Sequence, residues 1–284
     1  MRLRFPLVIS FAASLCVSAT ADVLVNIGLP DGKLGALSRT NAGGLLETEA
    51  ADDFALNSPA LITGGSFYGL IGSSVPVSDI SQVVVEIYRV FPKDSDTVRT
   101  PNVPTRTNSP SDLAFDSRDS AAPTMTFTAS SLGLFTVGNS VVNGINPEPN
   151  QQTGGEGPVS GQEVQFDVTF TTPFLLPADH YFFVPQVVVP GDFLWLSAPK
   201  PIAAPGITFT PDLQAWIRNE NLAPDWLRIG TDIVGPPVTG GPPPTFNMAF
   251  SLTGETVPEP SSYVLFGSAL AAVMVLGRKK LVCG

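Results

Sequence analysis

The chain has 284 residues, of which 28 are Pro and 26 are Gly. Together these make up about a fifth of the chain against roughly 12% in average proteins, which excludes a mostly helical protein, and the absence of a Gly-X-Y period excludes collagen. Charged residues are 14% and hydrophobic residues 43%, enough for a packed core and against global disorder, and a net charge of −10 disfavours sequence-independent binding to nucleic acid or to an anionic membrane surface.

The first 21 residues have the order of a secretory signal peptide: basic Arg2 and Arg4, an apolar stretch from Phe5 to Val17, then Ala19-Thr20-Ala21 with small residues where signal peptidase cleaves. Asp22 is the expected mature N-terminus, after passage through the Sec and signal peptidase machinery. Cys16 does not make this a lipoprotein signal, because Leu15 stands where a lipobox needs a small residue.

Residues 22–254 are expected to form one antiparallel β-sandwich domain of eight to twelve strands. In Gln162 to Phe170, Val164, Phe166, Val168 and Phe170 alternate with polar residues, which marks a strand with one buried face. Phe246, Met248, Phe250 and Leu252 repeat the pattern near the end of the body. Ala60 to Ile71, Ile80 to Phe91 and Tyr181 to Val189 are richer in Val, Ile, Phe and Tyr and are expected to be strands covered on both faces. Two polar insertions, Pro92 to Pro123 and Pro147 to Gly161, are expected as loops. A short helix is expected around Leu213 to Arg218, and the Gly-Pro-Pro-rich stretch Gly235 to Pro244 as a loop. The phrases Ala51-Asp52-Asp53-Phe54-Ala55-Leu56 and Leu176-Pro177-Ala178-Asp179-His180-Tyr181-Phe182-Phe183 resemble the bodies of secreted β-sandwich proteins. That resemblance implies a jelly-roll or Ig-like sandwich and no catalytic residues.

Residues 255–262 are read as a linker containing Val257-Pro258-Glu259-Pro260, and residues 263–284 as a transmembrane helix with a basic tail. The apolar run from Tyr263 to Gly277 rises about 22 Å as a helix, slightly short of a hydrocarbon core of roughly 30 Å, and snorkelling of Arg278, Lys279 and Lys280 makes up the difference. The basic cluster favours a cytoplasmic C-terminus with the body outside. The order Pro258-Glu259-Pro260, short membrane helix, basic cluster resembles the PEP-CTERM sorting signal of Gram-negative bacteria. The resemblance implies export, transient retention in the cytoplasmic membrane, processing by an exosortase, and association with extracellular polysaccharide or biofilm at the cell surface or in the matrix. A second Pro147-Glu148-Pro149 has no apolar run after it and is expected to be ignored by that machinery.

The residues offer little chemistry. His180 is the one histidine and is expected as a surface or strand-end residue, because the adjacent Asp179 would point to the opposite side of a strand and could not orient it as a catalytic base. Outside the two end segments, which hold Cys16 and Cys283, there is no cysteine, so transition-metal sites of His and Cys are excluded. Asp52 and Asp53, Asp94 and Asp96, and Asp112, Asp116 and Asp119 are weak candidates for Ca²⁺, with solvated loop carboxylates as the plainer reading. Glu163 and Asp167 lie roughly 13 Å apart along one strand face, too far for a glycosidase pair. Trp195, Trp216 and Trp226 are candidates for sugar stacking, with ordinary core or sheet-edge aromatics as the plainer reading. The leading expectation is a non-enzymatic exported protein without cofactor. A carbohydrate-binding module using exposed aromatics and a secreted carboxylate-dependent hydrolase are the alternatives. Without the two ends, residues 22–257 carry ten Lys plus Arg against 24 Asp plus Glu, so the exported part is the more acidic.

Overall fold

A computed structural model describes residues 21–91, 108–145, 152–199 and 213–257. In chain order the strands are β1 Asp22–Asn26, β2 Leu34–Leu37, β3 Thr48–Leu56, β4 Ala60–Ile71, β5 Gln82–Phe91, β6 Ser109–Pro110, β7 Asp116–Asp119 and β8 Met125–Val137. They continue with β9 Asn139–Val141, β10 Val159–Leu176, β11 Asp179–Val188, β12 Leu194–Ala198, β13 Trp216–Asn219, β14 Leu227–Arg228, β15 Asn247–Met248 and β16 Phe250–Thr256. They form two sheets, one of nine strands and one of seven. All pairs are antiparallel except β2 with β9.

The larger sheet is built on β4. Strand β10 lies along one side of it and carries β8 beyond, while β16 with β1, and β12 with β2 and β9, occupy the other side. The smaller sheet runs β14-β13-β3-β11-β5, with β6 and β7 both on β5. The inner faces meet through aromatic side chains. Phe67 and Phe166, directly opposite each other on β4 and β10, stack at 4.7 Å. Phe183 of the smaller sheet stacks on Phe250 of the larger at 4.9 Å, and the indole of Trp195 donates to the Ala249 carbonyl. Gly69 is required at its position, because a Cβ there would come within 2.0 Å of the Phe193 ring.

The alternation in Gln162 to Phe170 appears as expected: Val164, Phe166, Val168 and Phe170 are all buried. Strand β10 continues to Leu176, and its register with β4 shifts between Thr169 and Phe174, where Pro173 has no N–H for the ladder. Phe246, Met248, Phe250 and Leu252 are likewise buried. Strand β11 is covered on both faces, Tyr181 and Phe183 facing the inter-sheet core and Phe182 and Val184 facing a second apolar cluster with Tyr88, Trp216 and Trp226. Strands β4 and β5 depart from that expectation, since Leu61, Thr63, Tyr68, Val84 and Glu86 are only half-buried.

Three expectations are corrected. Sixteen strand segments occur among the described residues rather than eight to twelve, because pieces such as Leu227–Arg228 and Asn247–Met248 are too short to carry a period of two. The helix expected around Leu213 to Arg218 is absent: Trp216–Asn219 is a buried strand on β3, and a π-helical turn stands instead at Ile229–Val234. Part of the insertion Pro92 to Pro123 is not loop, since Ser109–Pro110 and Asp116–Asp119 pair with β5. The stretch Gly235 to Pro244 is a loop, as expected.

Candidate functional site

Two places in the fold concentrate the residues of interest: the corner where the chain leaves the sandwich, and a buried polar layer on the outer face of the smaller sheet.

At the corner, β16 lies between β1 and β4. The first residue of β1, Asp22, is opposite Gly254, and Val23 is opposite Thr253. After Thr256 the Val257 N–H donates to the Pro59 carbonyl at 2.7 Å. Val257, the first residue of the candidate sorting motif, is therefore still attached to the fold. Pro258, Glu259 and Pro260, the basic cluster Arg278, Lys279 and Lys280, the cleavage-site residue Ala19, and the internal Pro147-Glu148-Pro149 lie outside the described residues, whereas Ala21 is the first of them and is exposed. Among the described residues no helix is long and apolar enough to cross a membrane.

The outer layer follows from strand parity. Glu49 on β3, Glu86 and Tyr88 on β5, and Trp216 and Arg218 on β13 all face away from the main core. The Arg218 guanidinium embraces Glu49: Nε donates to Oε2 and Nη2 to Oε1. Its Nη2 also lies 2.8 Å from Tyr88 Oη. Tyr88 Oη stands 2.6 Å from Glu49 Oε1 and 2.8 Å from Glu86 Oε2, and its single proton serves only one of them. The guanidinium lies over the Trp226 ring at 4.3 Å from the centroid, a cation–π contact. Burial, and then the charge of Glu49, pushes the Glu86 carboxyl up to about 7. Burial, reinforced by both carboxylates, pushes the Tyr88 phenol far up. For Arg218, burial acts to lower the guanidinium, but the bonds with Glu49 outweigh it and hold it above its ordinary value.

These carboxylates converge, but on an internal cation. Arg218 Nη1 donates to the Asp112 and Pro224 carbonyls, and the Trp226 indole donates to the Ser111 carbonyl. The layer thus pins two covering segments, around residues 111–114 and 213–226, onto the sheet. Glu49, Glu86 and Arg218 escaped the sequence reading. The signal was present in Val-Val-Val-Glu86-Ile-Tyr88 and Trp216-Ile-Arg218, where a charge interrupts an apolar strand without a turn residue.

The other candidates are dispersed. Asp52 and Asp53 are consecutive on β3 and so face opposite sides: Asp52 Oδ2 accepts from the Met248 N–H at 2.7 Å, and Asp53 Oδ2 lies 2.6 Å from His180 Nε2. They do not converge on a common cation. His180 is at a strand end as expected, but it is fully buried rather than at the surface. Its acidic partner is Asp53, while Asp179 accepts from the His180 backbone N–H instead. Asp116 forks onto Arg118, and Asp119 accepts from Gln82 and from the Ala121 N–H. Asp94 and Asp96 lie outside the described residues, among which no group of three or more His, Cys, Asp or Glu is placed to hold a metal. Trp195, Trp216 and Trp226 are all buried, at 0%, 2% and 0% exposure. This corrects their reading as a sugar-stacking platform: Trp195 belongs to the inter-sheet core and the other two to the outer cluster. Glu163 and Asp167 lie on one face of β10, four residues apart.

Residues 256–280 match the PEP-CTERM protein-sorting motif. No curated protein and no solved structure matches the chain. The matched segment begins at Thr256, the last residue of β16, so sorting signal and fold meet without an intervening spacer. The motif implies exosortase-dependent sorting to the cell surface, and the chain carries that PEP-CTERM sorting motif from the end of its last strand onward.

Proposed function

We propose that this is an exported, non-catalytic β-sandwich protein whose body, residues 22–254, of jelly-roll or Ig-like kind, is carried across the membrane by an N-terminal signal peptide. A C-terminal membrane helix retains it there transiently. Exosortase processing at Pro258-Glu259-Pro260 then releases it to the cell surface or extracellular matrix, where it associates with polysaccharide or biofilm. The observation that carries this reading is the sorting motif beginning at the last residue of the last strand. A non-catalytic role is supported by the way the convergent acidic side chains are engaged. Glu49 is bound by Arg218 and Tyr88, and Asp53 by His180.

Intact-mass measurement of the surface-released protein tests the proposal. The expected species begins at Asp22 and lacks the apolar tail. A released form that retains residues 257–284 overturns it. Replacing Pro258-Glu259-Pro260 by three alanines is expected to leave the protein in the membrane fraction, whereas the same change at Pro147-Glu148-Pro149 is expected to leave release unaffected.

A further inference from the structure

Strand β8, Met125–Val137, is an outer strand of the larger sheet: among the described residues its ladder is with β10 alone. A strand with one free edge offers a row of N–H and C=O groups to any second strand, and proteins ordinarily defend such edges with Lys, Pro or inward-pointing charge. Strand β8 has none of these. No charged residue occurs from Ser120 to Pro147, in a chain with 40 charged residues. The one edge defence present is a bulge: Glu163 is opposite Gly133 and Val164 is opposite Ser131, so Leu132 has no partner. It leaves a regular seven-residue run, Met125–Ser131.

That run is self-complementary. Its centre is Thr128, and antiparallel pairing of two copies about a two-fold axis there sets Phe127 opposite Ala129 on the core side, with Thr128 opposite Thr128 and Thr126 opposite Ser130 on the solvent side. Phe127 and Ala129 pack against the inter-sheet core yet remain half-exposed, so a second strand would complete their burial. The 3-10 turn Val77–Asp79 beside β8 forms no ladder with it.

We propose that β8 is a homotypic edge at which two copies of this protein join their larger sheets across Thr128. The charge distribution identifies the partner. A second copy carries the same net negative charge, so two copies meet most readily where neither presents a charge. On the adjoining strand the carboxylates nearest the axis are those of Asp167, opposite Thr128 on β10. Across the axis they stand three strand spacings apart, about 14 Å, beyond a Debye length of about 8 Å at physiological salt.

The test uses the full chain carrying Cys16→Ser and Cys283→Ser in mild detergent, so that a single engineered thiol reports. Residues directly opposite in an antiparallel pair have Cβ atoms about 4.5–5.5 Å apart, close to disulfide reach, whereas a position two residues off the axis meets its own copy about 13 Å away. Thr128→Cys is expected to give a disulfide-linked dimer under mild oxidation, and Ser130→Cys at least tenfold less. Thr128→Glu, which places like charges across the axis, is expected to halve the sedimenting mass of the protein part, while Val238→Glu on an exposed loop leaves it unchanged. The proposal is overturned if Thr128→Cys stays monomeric, if Ser130→Cys crosslinks equally well, or if Thr128→Glu leaves the mass unaltered. Thr128→Cys is nearly isosteric, so its outcome does not depend on whether the glutamate variant folds.

Discussion

Replacing Glu86 by Gln should make the domain more stable at alkaline pH and change little in mild acid. In the native protein burial and Glu49 push the Glu86 carboxyl up to about 7, whereas in the unfolded chain it titrates near its ordinary value of about 4.3. Between those two values the native state holds a proton that the unfolded state has lost, so stability falls as pH rises through the window and levels off above it. A shift of about 2.5 units corresponds to about 3 kcal/mol, trimmed by the partial exposure of the side chain to about 2–3 kcal/mol. Glutamine imitates the protonated acid: its carbonyl accepts from Tyr88, and its amide donates where the carboxyl proton would. Glu86→Gln should therefore exceed the wild type by no more than about 1 kcal/mol at pH 5 and by about 2–3 kcal/mol at pH 8, the latter about 5–10 °C in Tm for a domain of this size. Urea or thermal melts of both proteins at the two pH values supply the comparison. A stability difference that is the same at pH 5 and pH 8 would refute the argument, because it would mean that Glu86 has the same proton affinity folded and unfolded.

Further outcomes follow from the same packing. Arg218→Ala leaves Glu49 buried without its guanidinium and should cost about 3–5 kcal/mol in urea denaturation. Arg218→Lys should recover only part of that, since an ammonium cannot reproduce the two-point contact with Glu49. Gly69→Ala drives a methyl group into the Phe193 ring and should cost about 1–3 kcal/mol. Combining it with Phe193→Leu should cost less than the two single changes added together, which a double-mutant cycle measures. Trp226→Ala removes the indole that lies over Arg218 and bonds Ser111. It should cost about 3–5 kcal/mol and open Arg218 to limited trypsin digestion before the rest of the body.

The parts of the fold that were legible in the sequence are those whose burial alternates. Val164 to Phe170 announce their inward face because the opposite face is polar, and Phe246 to Leu252 repeat the period of two in sequence although Asn247 and Ala249 between them are buried as well. The outer layer was illegible for a related reason. Strand β11 is apolar from Tyr181 to Pro185 because segments distant in sequence cover its second face, and no local pattern says which segments those are. Glu49, Tyr88 and Arg218 come from β3, β5 and β13, up to 169 residues apart; their meeting is a fact of strand order, which periodicity does not encode. The apolar neighbourhood of the tryptophans pointed to core positions, which they occupy, but could not say that Trp195 and the other two belong to different clusters. Asp52 and Asp53 were grouped by adjacency in sequence, whereas on a strand adjacent residues are the ones kept apart. The sorting signal was legible in full, because its tripeptide, apolar run and basic cluster are contiguous and their order needs no fold to assemble them.

The junction between that signal and the fold bears on the order of events during export. Strand β16 is an interior strand, hydrogen-bonded to β4 on one side and β1 on the other, yet it is made of the last residues before the sorting motif. Strand β1, the first of the body, pairs among the described residues with β16 alone. Asp22 therefore cannot reach its place opposite Gly254 until residues 250–256 have crossed the membrane and docked on β4. A closure spanning more than 220 residues carries a large loop-closure entropy and is slow compared with hairpin formation. From Val257 to the start of the apolar run at Tyr263 only five residues intervene, a reach of at most about 22 Å. If the tail is retained in the bilayer as proposed, β16 docks while it is held close to the membrane surface. Cleavage at the PEP motif leaves every bond of β16 intact, including that of Val257 to Pro59. Cleavage seven residues earlier would remove the strand that joins β1 to the sheet. The shortest body that closes the sandwich thus ends at the motif itself, and truncation at residue 249 should abolish cooperative unfolding where truncation at residue 257 preserves it.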